Sequence, residues 1–99
     1  MASNNPSFPI GTAVVSWFDP GGQLHLRVYS TDGYNVTERC NDGSGWVSGF
    51  SMPGSDVSAT CWQDSEGTHL RVYCTFQDKT VEWCNDPNSG WAQGAYTTT

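Results

Sequence analysis

The sequence predicts an all-β protein made of two four-stranded propeller blades. Three observations carry that prediction. One stretch of chain occurs twice, each copy breaks into short β-branched and aromatic segments, and Gly/Asp/Pro/Ser turns separate those segments. The two copies are LHLRVYSTDGYNVTERCNDGSGW and THLRVYCTFQDKTVEWCNDPNSGW. Arg27, Glu38 and Cys40 recur as Arg71, Glu82 and Cys84 at a spacing of 44, and Trp17 and Trp46 recur as Trp62 and Trp91 at a spacing of 45. A fixed period of this size marks a repeat architecture. The slip between the two spacings falls in turns, where insertions are tolerated.

Taken in order, TAVVSWF, QLHLRVYS and NVTERC read as strands of the first repeat, separated by DPGG, TDGY and NDGSG. VSATCWQ, THLRVYCT, KTVEWC and GWAQGAY do the same in the second. Closely spaced segments of this kind, without a sustained helical period, predict antiparallel β structure. Four short strands in about 45 residues are the anatomy of one propeller blade. An eight-stranded sandwich is the alternative, but it gives no reason for polar residues to stay in step between repeats. The repeats cover 13–50 and 57–96, joined by the turn SMPGSD. The expected division is an N-terminal extension at 1–11, a first blade at 12–52 and a second at 53–97. Propellers need roughly four to eight blades to remove their open edges. Two blades therefore imply assembly from two, three or four copies.

A chain of 99 residues buries only about 60–65% of its unfolded surface, so its core is thin. Aromatic content nevertheless reaches 13%, with five tryptophans, which suits packing between elements or ligand platforms. Four basic against ten acidic residues leave a net charge of −6. That balance excludes the basic face a nucleic-acid partner requires, and attraction to an anionic membrane with it. A neutral, hydroxyl-rich ligand remains compatible. No segment approaches the ~20 apolar residues of a membrane span. The start MASNNPSFPIG lacks a basic region followed by an apolar run, so no secretion leader of the usual kind is read there. The expectation is a soluble protein acting outside the cell by an export route the sequence does not name. Asn35 opens an Asn-Val-Thr acceptor pattern on a hairpin edge. The four cysteines form no CxxC pair, and His25 and His69 do not complete zinc spacing. No metal or cofactor is expected. Cys40 and Cys84, at equivalent positions, read as structural thiols. Cys61 and Cys74 fall in one hairpin but not opposite each other.

Neighbouring side chains of a strand point to opposite faces. Arg71 and Tyr73 therefore share one face, and Leu70 and Val72 the other. With FQDK as the turn, Tyr73 lies across from Glu82 and Arg71 across from Cys84, so Arg71 and Glu82 are diagonal neighbours. The same construction pairs Arg27 with Glu38. A cleft between successive blades would then have Arg and Glu on one wall and Leu and Trp on the other. Such pairs are often surface ion pairs worth under about 1 kcal/mol, and such tryptophans often pack blades together. A sugar nevertheless suits the mixed wall: its hydroxyls pair with guanidinium and carboxylate, and its C–H face stacks on indole. A glycosidase would need two carboxylates per cleft, one with a raised pKa. One repeated Glu beside an Arg argues for binding without chemistry. Asp42 and Asp86, the only repeated candidates for a second carboxylate, fall in turns. The alternative reading is a structural or protein-interaction propeller with no sugar ligand.

HLRVY, TERC, VEWC, GSGW and GWAQGAY, in this order and largely twice over, resemble the fucose-binding lectins of the Aleuria aurantia lectin family. The likeness is greatest to the small two-repeat bacterial members of the Ralstonia and Burkholderia type, and covers about residues 12–97. It implies a six-bladed β-propeller built as a homotrimer, with L-fucose sites within and between chains. By matching motif, Arg27 and Glu38 would hydrogen-bond the sugar in the intrachain cleft. Trp91 would stack on its apolar face, Leu70 would seat its methyl, and a backbone N–H near Gly49 and Phe50 would contact it. The interchain counterparts are Arg71 and Glu82, with Leu26 and Trp46 from the neighbouring subunit and Gly94 and Ala95 in place of the Gly49–Phe50 segment. Trp17 and Trp62 match tryptophans near the sites. Asn41 and Asn85 stand where those relatives commonly carry an aromatic, which makes one wall of each cleft more polar.

Overall fold

The computed structural model describes residues 8–99. Most of the expected N-terminal extension, residues 1–7, lies outside the described residues. Eight strands follow in order: β1 (Gly11–Phe18), β2 (Leu24–Thr31), β3 (Asn35–Asn41), β4 (Trp46–Pro53), β5 (Asp56–Asp64), β6 (Gly67–Phe76), β7 (Lys79–Asp86) and β8 (Gly90–Gln93). They form two four-stranded antiparallel sheets, β1-β2-β3-β4 and β5-β6-β7-β8. No helix long and apolar enough to cross a membrane occurs among the described residues.

The hairpins fix the register, and the register fixes the faces. Phe76 pairs with Lys79, so the chain turns at Gln77–Asp78, with Gln77 in the left-handed region at φ 57°. Tyr73 then faces Glu82 and Arg71 faces Cys84, as the alternation predicts. Blade one repeats the pattern, with Tyr29 opposite Glu38 and Arg27 opposite Cys40. Along β3, Val36, Glu38 and Cys40 are buried while Asn35, Thr37 and Arg39 are exposed.

The two sheets pack through one seam. Val15, Tyr29 and Val36 of the first sheet meet Leu70, Val72 and Cys74 of the second, with Phe50, Met52, Val57, Trp83 and Trp91 against them. The link between sheets is tight. Gly54 is buried, its N–H donates to the Tyr34 carbonyl at 2.8 Å, and its carbonyl accepts from Thr31 Oγ1 at 2.6 Å. A Cβ at Gly54 would lie 2.7 Å from Val36 Cγ2 and 3.1 Å from Cys74 Cβ, so only glycine passes there. Val57 is the register partner of Cys74, and Cys61 that of Leu70, so these thiols do not face each other. Burial pushes Cys40 and Cys74 up to about 11.

Candidate functional site

The centre of the seam is built around Glu38. The register of β3 on β4 shifts between Thr37 and Arg39, so that Gly49 and Phe50 together oppose one residue. Such a bulge frees a backbone N–H from the ladder. Here the freed Phe50 N–H donates to Glu38 Oε1 at 3.0 Å, while the Tyr29 hydroxyl donates to Oε2 at 2.7 Å. Gly49 is required by the same geometry. A Cβ there would overlap Glu38 Oε1 and lie 2.8 Å from its Cδ. Blade two repeats the arrangement: Tyr73 donates to Glu82 Oε2 at 2.8 Å and the Tyr96 N–H to Oε1 at 3.1 Å, with Gly94 against the carboxylate. The Tyr73 hydrogen bond, followed by the Tyr96 N–H, holds Glu82 below the usual carboxylate range.

Three expectations are corrected by this geometry. The arginines do not pair with the glutamates. Arg27 donates to Asp42 at 2.8 and 3.4 Å, and Arg71 to Asp86 at the same two distances. Arg27 has Glu38 and Asp42 as its two diagonal neighbours across β3; the glutamate is taken by tyrosine and backbone, so the guanidinium closes on the aspartate. Second, the counterpart of Phe50 is Tyr96 rather than Ala95, because the extra residue of the second repeat is absorbed where β8 ends at Gln93. Third, the Phe50 N–H is engaged by Glu38 and is not left facing the cleft.

The remaining residues fall on two walls. Leu70, Asn85 and Trp91 form one cross-strand row on the blade-two face that packs against blade one. Trp91 stacks on Phe50 at 4.3 Å and 24°, and Phe50 meets Tyr29 edge-on at 5.9 Å. The seam therefore brings Arg27, Glu38, Gly49, Phe50, Leu70 and Trp91 onto its facing surfaces. Leu26, Asn41 and Trp46 form the equivalent row on the open face of blade one, with Trp46 44% exposed. Arg71, Glu82, Gly94 and Ala95 lie on the open face of blade two. Within one chain these two groups are not brought together. Asn41 also caps its turn, accepting from the Gly43 N–H at 2.9 Å.

Sequence reasoning missed a network present in both blades. His25 is flanked by Asp42 at 2.6 Å and Asp19 at 2.9 Å, and stacks on Trp17 at 5.2 Å. His69 lies between Asp86 at 2.6 Å and Asp64 at 3.0 Å, and stacks on Trp62 at 5.1 Å. The guanidinium carbons of Arg27 and Arg71 lie 4.9 and 4.8 Å from the same two indole centroids. Trp17 and Trp62 therefore support His and Arg within this network. The signal was available, since His25 and Asp42 recur as His69 and Asp86 at the spacing of 44. Asp19 raises the pKa of His25, followed by Asp42; Asp86 does so for His69. Asp64, Glu66 and His69 bring potential ligand atoms within 4.8 Å of one another. The flanking carboxylates favour imidazolium, which has no lone pair for a metal, and no metal is assigned.

Two stacked four-stranded antiparallel sheets of one repeated sequence define a tandem β-blade protein with a polar–aromatic seam. The chain matches the family described as fungal fucose-specific lectin over residues 5–99. It is 33% identical over 76 residues to a fucose-specific lectin of Aspergillus oryzae, and equally to that of A. oryzae strain ATCC 42149 / RIB 40. Those matches cover 69% of this chain and 24% of each relative, so the chain spans about a quarter of their length. A solved fucose lectin from Kordia zhangzhouensis, in complex with methyl-fucoside, superposes with a TM-score of 0.76 at 41% identity, covering 87% of this chain and 64% of that one. This chain belongs to the fungal fucose-specific lectin family.

Proposed function

We propose that the protein is a non-catalytic lectin that binds L-fucose and fucosylated glycans in clefts between successive blades. The observation that carries this reading is the seam itself. A buried, doubly hydrogen-bonded glutamate and an aspartate-held arginine lie on one wall, and Leu70 and Trp91 on the other. A sugar would offer hydroxyls to the first wall and its methyl and C–H surface to the second. Glu82 and Asp86 are both held below the ordinary carboxylate range, the aspartate chiefly by Arg71. Neither suits the proton-donating role that glycoside hydrolysis needs.

The ring assembly belongs to the same reading. The sheets β1–β4 and β5–β8 each act as one blade, so the break falls after Pro53 rather than at the expected 52/53, and three chains close six blades as a homotrimer. The open face of blade two carries Tyr96, 47% exposed, where Phe50 carries Trp91 inside the chain. The open face of blade one offers Trp46 in the position of Trp91. Joining these faces would cover Val14, 56% exposed, which lies in the open-face row of Val28 and Arg39. It would also complete interchain clefts from Arg71 and Glu82 of one copy and Leu26 and Trp46 of the next. Several sites on one particle would raise avidity on a fucosylated surface by roughly 10²–10⁴. Action on glycans outside the cell follows from the ligand class.

Calorimetric titration with methyl-fucoside tests the reading. Wild type binds, and Glu38→Ala combined with Glu82→Ala loses binding at both site types. Undiminished binding by that double variant would remove the site assignment.

A further inference from the structure

The internal repeat allows the seam inside one chain to be compared, position by position, with the faces open at its two ends. Inside the chain, the end remote from Arg27 and Asp42 is dry. Val57, Cys74 and Val81 form a cross-strand row on blade two, and Val36 and Met52 are register partners on blade one. Val36 and Cys74 are 0% and 1% exposed. On the open face of blade one, the row equivalent to Val57–Cys74–Val81 is Thr12–Ser30–Thr37, continued by Ser51. On the open face of blade two, Thr80 and Thr98 replace Val36 and Met52. One row further in on blade one, exposed Arg39 stands where blade two has Trp83. Nearer the cleft the apolar character is kept, with Leu26 for Leu70, Val28 for Val72 and Trp46 for Trp91.

We propose that the surface joining one copy to a second copy of this chain is hydroxyl-lined at this end and dissociates reversibly, whereas the seam within each chain does not. The inference rests on the ring reading above. Burying hydroxyl surface supplies little of the driving force that burying methyl surface does. The hydroxyls of blade two already have partners. Thr80 Oγ1 lies 2.8 Å from Thr75 Oγ1, and Thr98 Oγ1 accepts from the Thr80 N–H at 2.8 Å. Contact with a second copy therefore leaves them satisfied but adds little attraction. Each open face also carries a shallow hollow there, of about 280 Å³ beside Ser30, Thr37 and Ser51 and about 310 Å³ beside Thr80 and Thr98. The intrachain cleft then persists in a lone chain, and the interchain cleft exists only above the association concentration.

Sedimentation velocity over a dilution series, with circular dichroism alongside, tests this. Wild type falls toward the 10.8 kDa chain mass on dilution while keeping its β signature. The isosteric double variant Thr37→Val/Thr80→Val moves the midpoint to at least tenfold lower concentration, and Thr12→Val on the same row shifts it in the same direction. An unmoved or raised midpoint in these variants overturns the inference, as does a wild-type assembly that survives every dilution. A wild type of single-chain mass at every concentration removes the ring reading itself, and this inference with it.

Discussion

Tyr29 and Glu38 face each other across β2 and β3, and the buried phenol donates to the carboxylate at 2.7 Å. Tyr29 is 0% exposed and Glu38 4% exposed, so this contact lies wholly inside the seam. Burial, followed by Glu38, pushes the phenol pKa well above its ordinary value. Tyr29→Phe removes the donor and leaves a carboxylate oxygen unpaired. A cost of about 1–3 kcal/mol is expected from such an orphaned group, measured by urea unfolding. Tyr73→Phe, on the open face, costs less in the isolated chain because solvent reaches Glu82.

Gly49→Ala tests the close approach that positions Glu38. The added Cβ collides with the carboxylate and lies 3.1 Å from Cys40 Sγ. Loss of fucose binding at the intrachain cleft is expected, together with destabilisation of about 1–3 kcal/mol from overpacking. Calorimetric stoichiometry reads the first and urea unfolding the second. Gly94→Ala should abolish the interchain class instead.

The His–Asp networks give stability an alkaline and an acid limit. His25 and His69 have folded pKa values above 6.5. Their contribution is therefore complete below about 6.5 and is lost as pH rises through the folded values. Asp42 and Asp86, lowered first by Arg27 and Arg71, contribute above about 3.8 and lose that contribution as pH falls through their folded values. Urea midpoints measured from pH 5 to 9 should decline on the alkaline side. His25→Gln/His69→Gln should flatten that decline.

Thiol reactivity tests the burial of the seam. Cys74 is 1% exposed, and burial lifts its pKa to about 11. At pH 8 it should resist a thiol reagent in the folded protein and react at the unfolded rate in denaturant. Rapid modification of Cys74 under native conditions would show that the seam opens.

Strand order, register and the sharing of faces were legible in the sequence, because period-two alternation and the repeat constrain them together. The neighbours of Arg27 were not. Alternation placed Glu38 on the correct face, but it does not say which of two diagonal carboxylates the guanidinium reaches. That choice follows from Tyr29 and from the bulge at Gly49–Phe50, a one-residue register slip. The extra residue of the second repeat is visible as Gly94–Ala95–Tyr96 against Gly49–Phe50, but alternation does not say that Tyr96 rather than Ala95 takes the place of Phe50, since it follows the last regular pair of β8. His25 and Asp42 recur as faithfully as Arg27 and Glu38 do, but the histidine was weighed only as a metal ligand and the aspartate only as a second carboxylate for hydrolysis, so their pairing was passed over.

A structure of the protein crystallised with methyl-fucoside tests the central claim most directly. The sugar should lie between Arg27 and Glu38 on one blade and Leu70 and Trp91 on the next, with its ring oxygen or hydroxyls on the charged wall and its methyl toward Leu70. A sugar bound outside the inter-blade clefts, with these four residues untouched, would contradict the account.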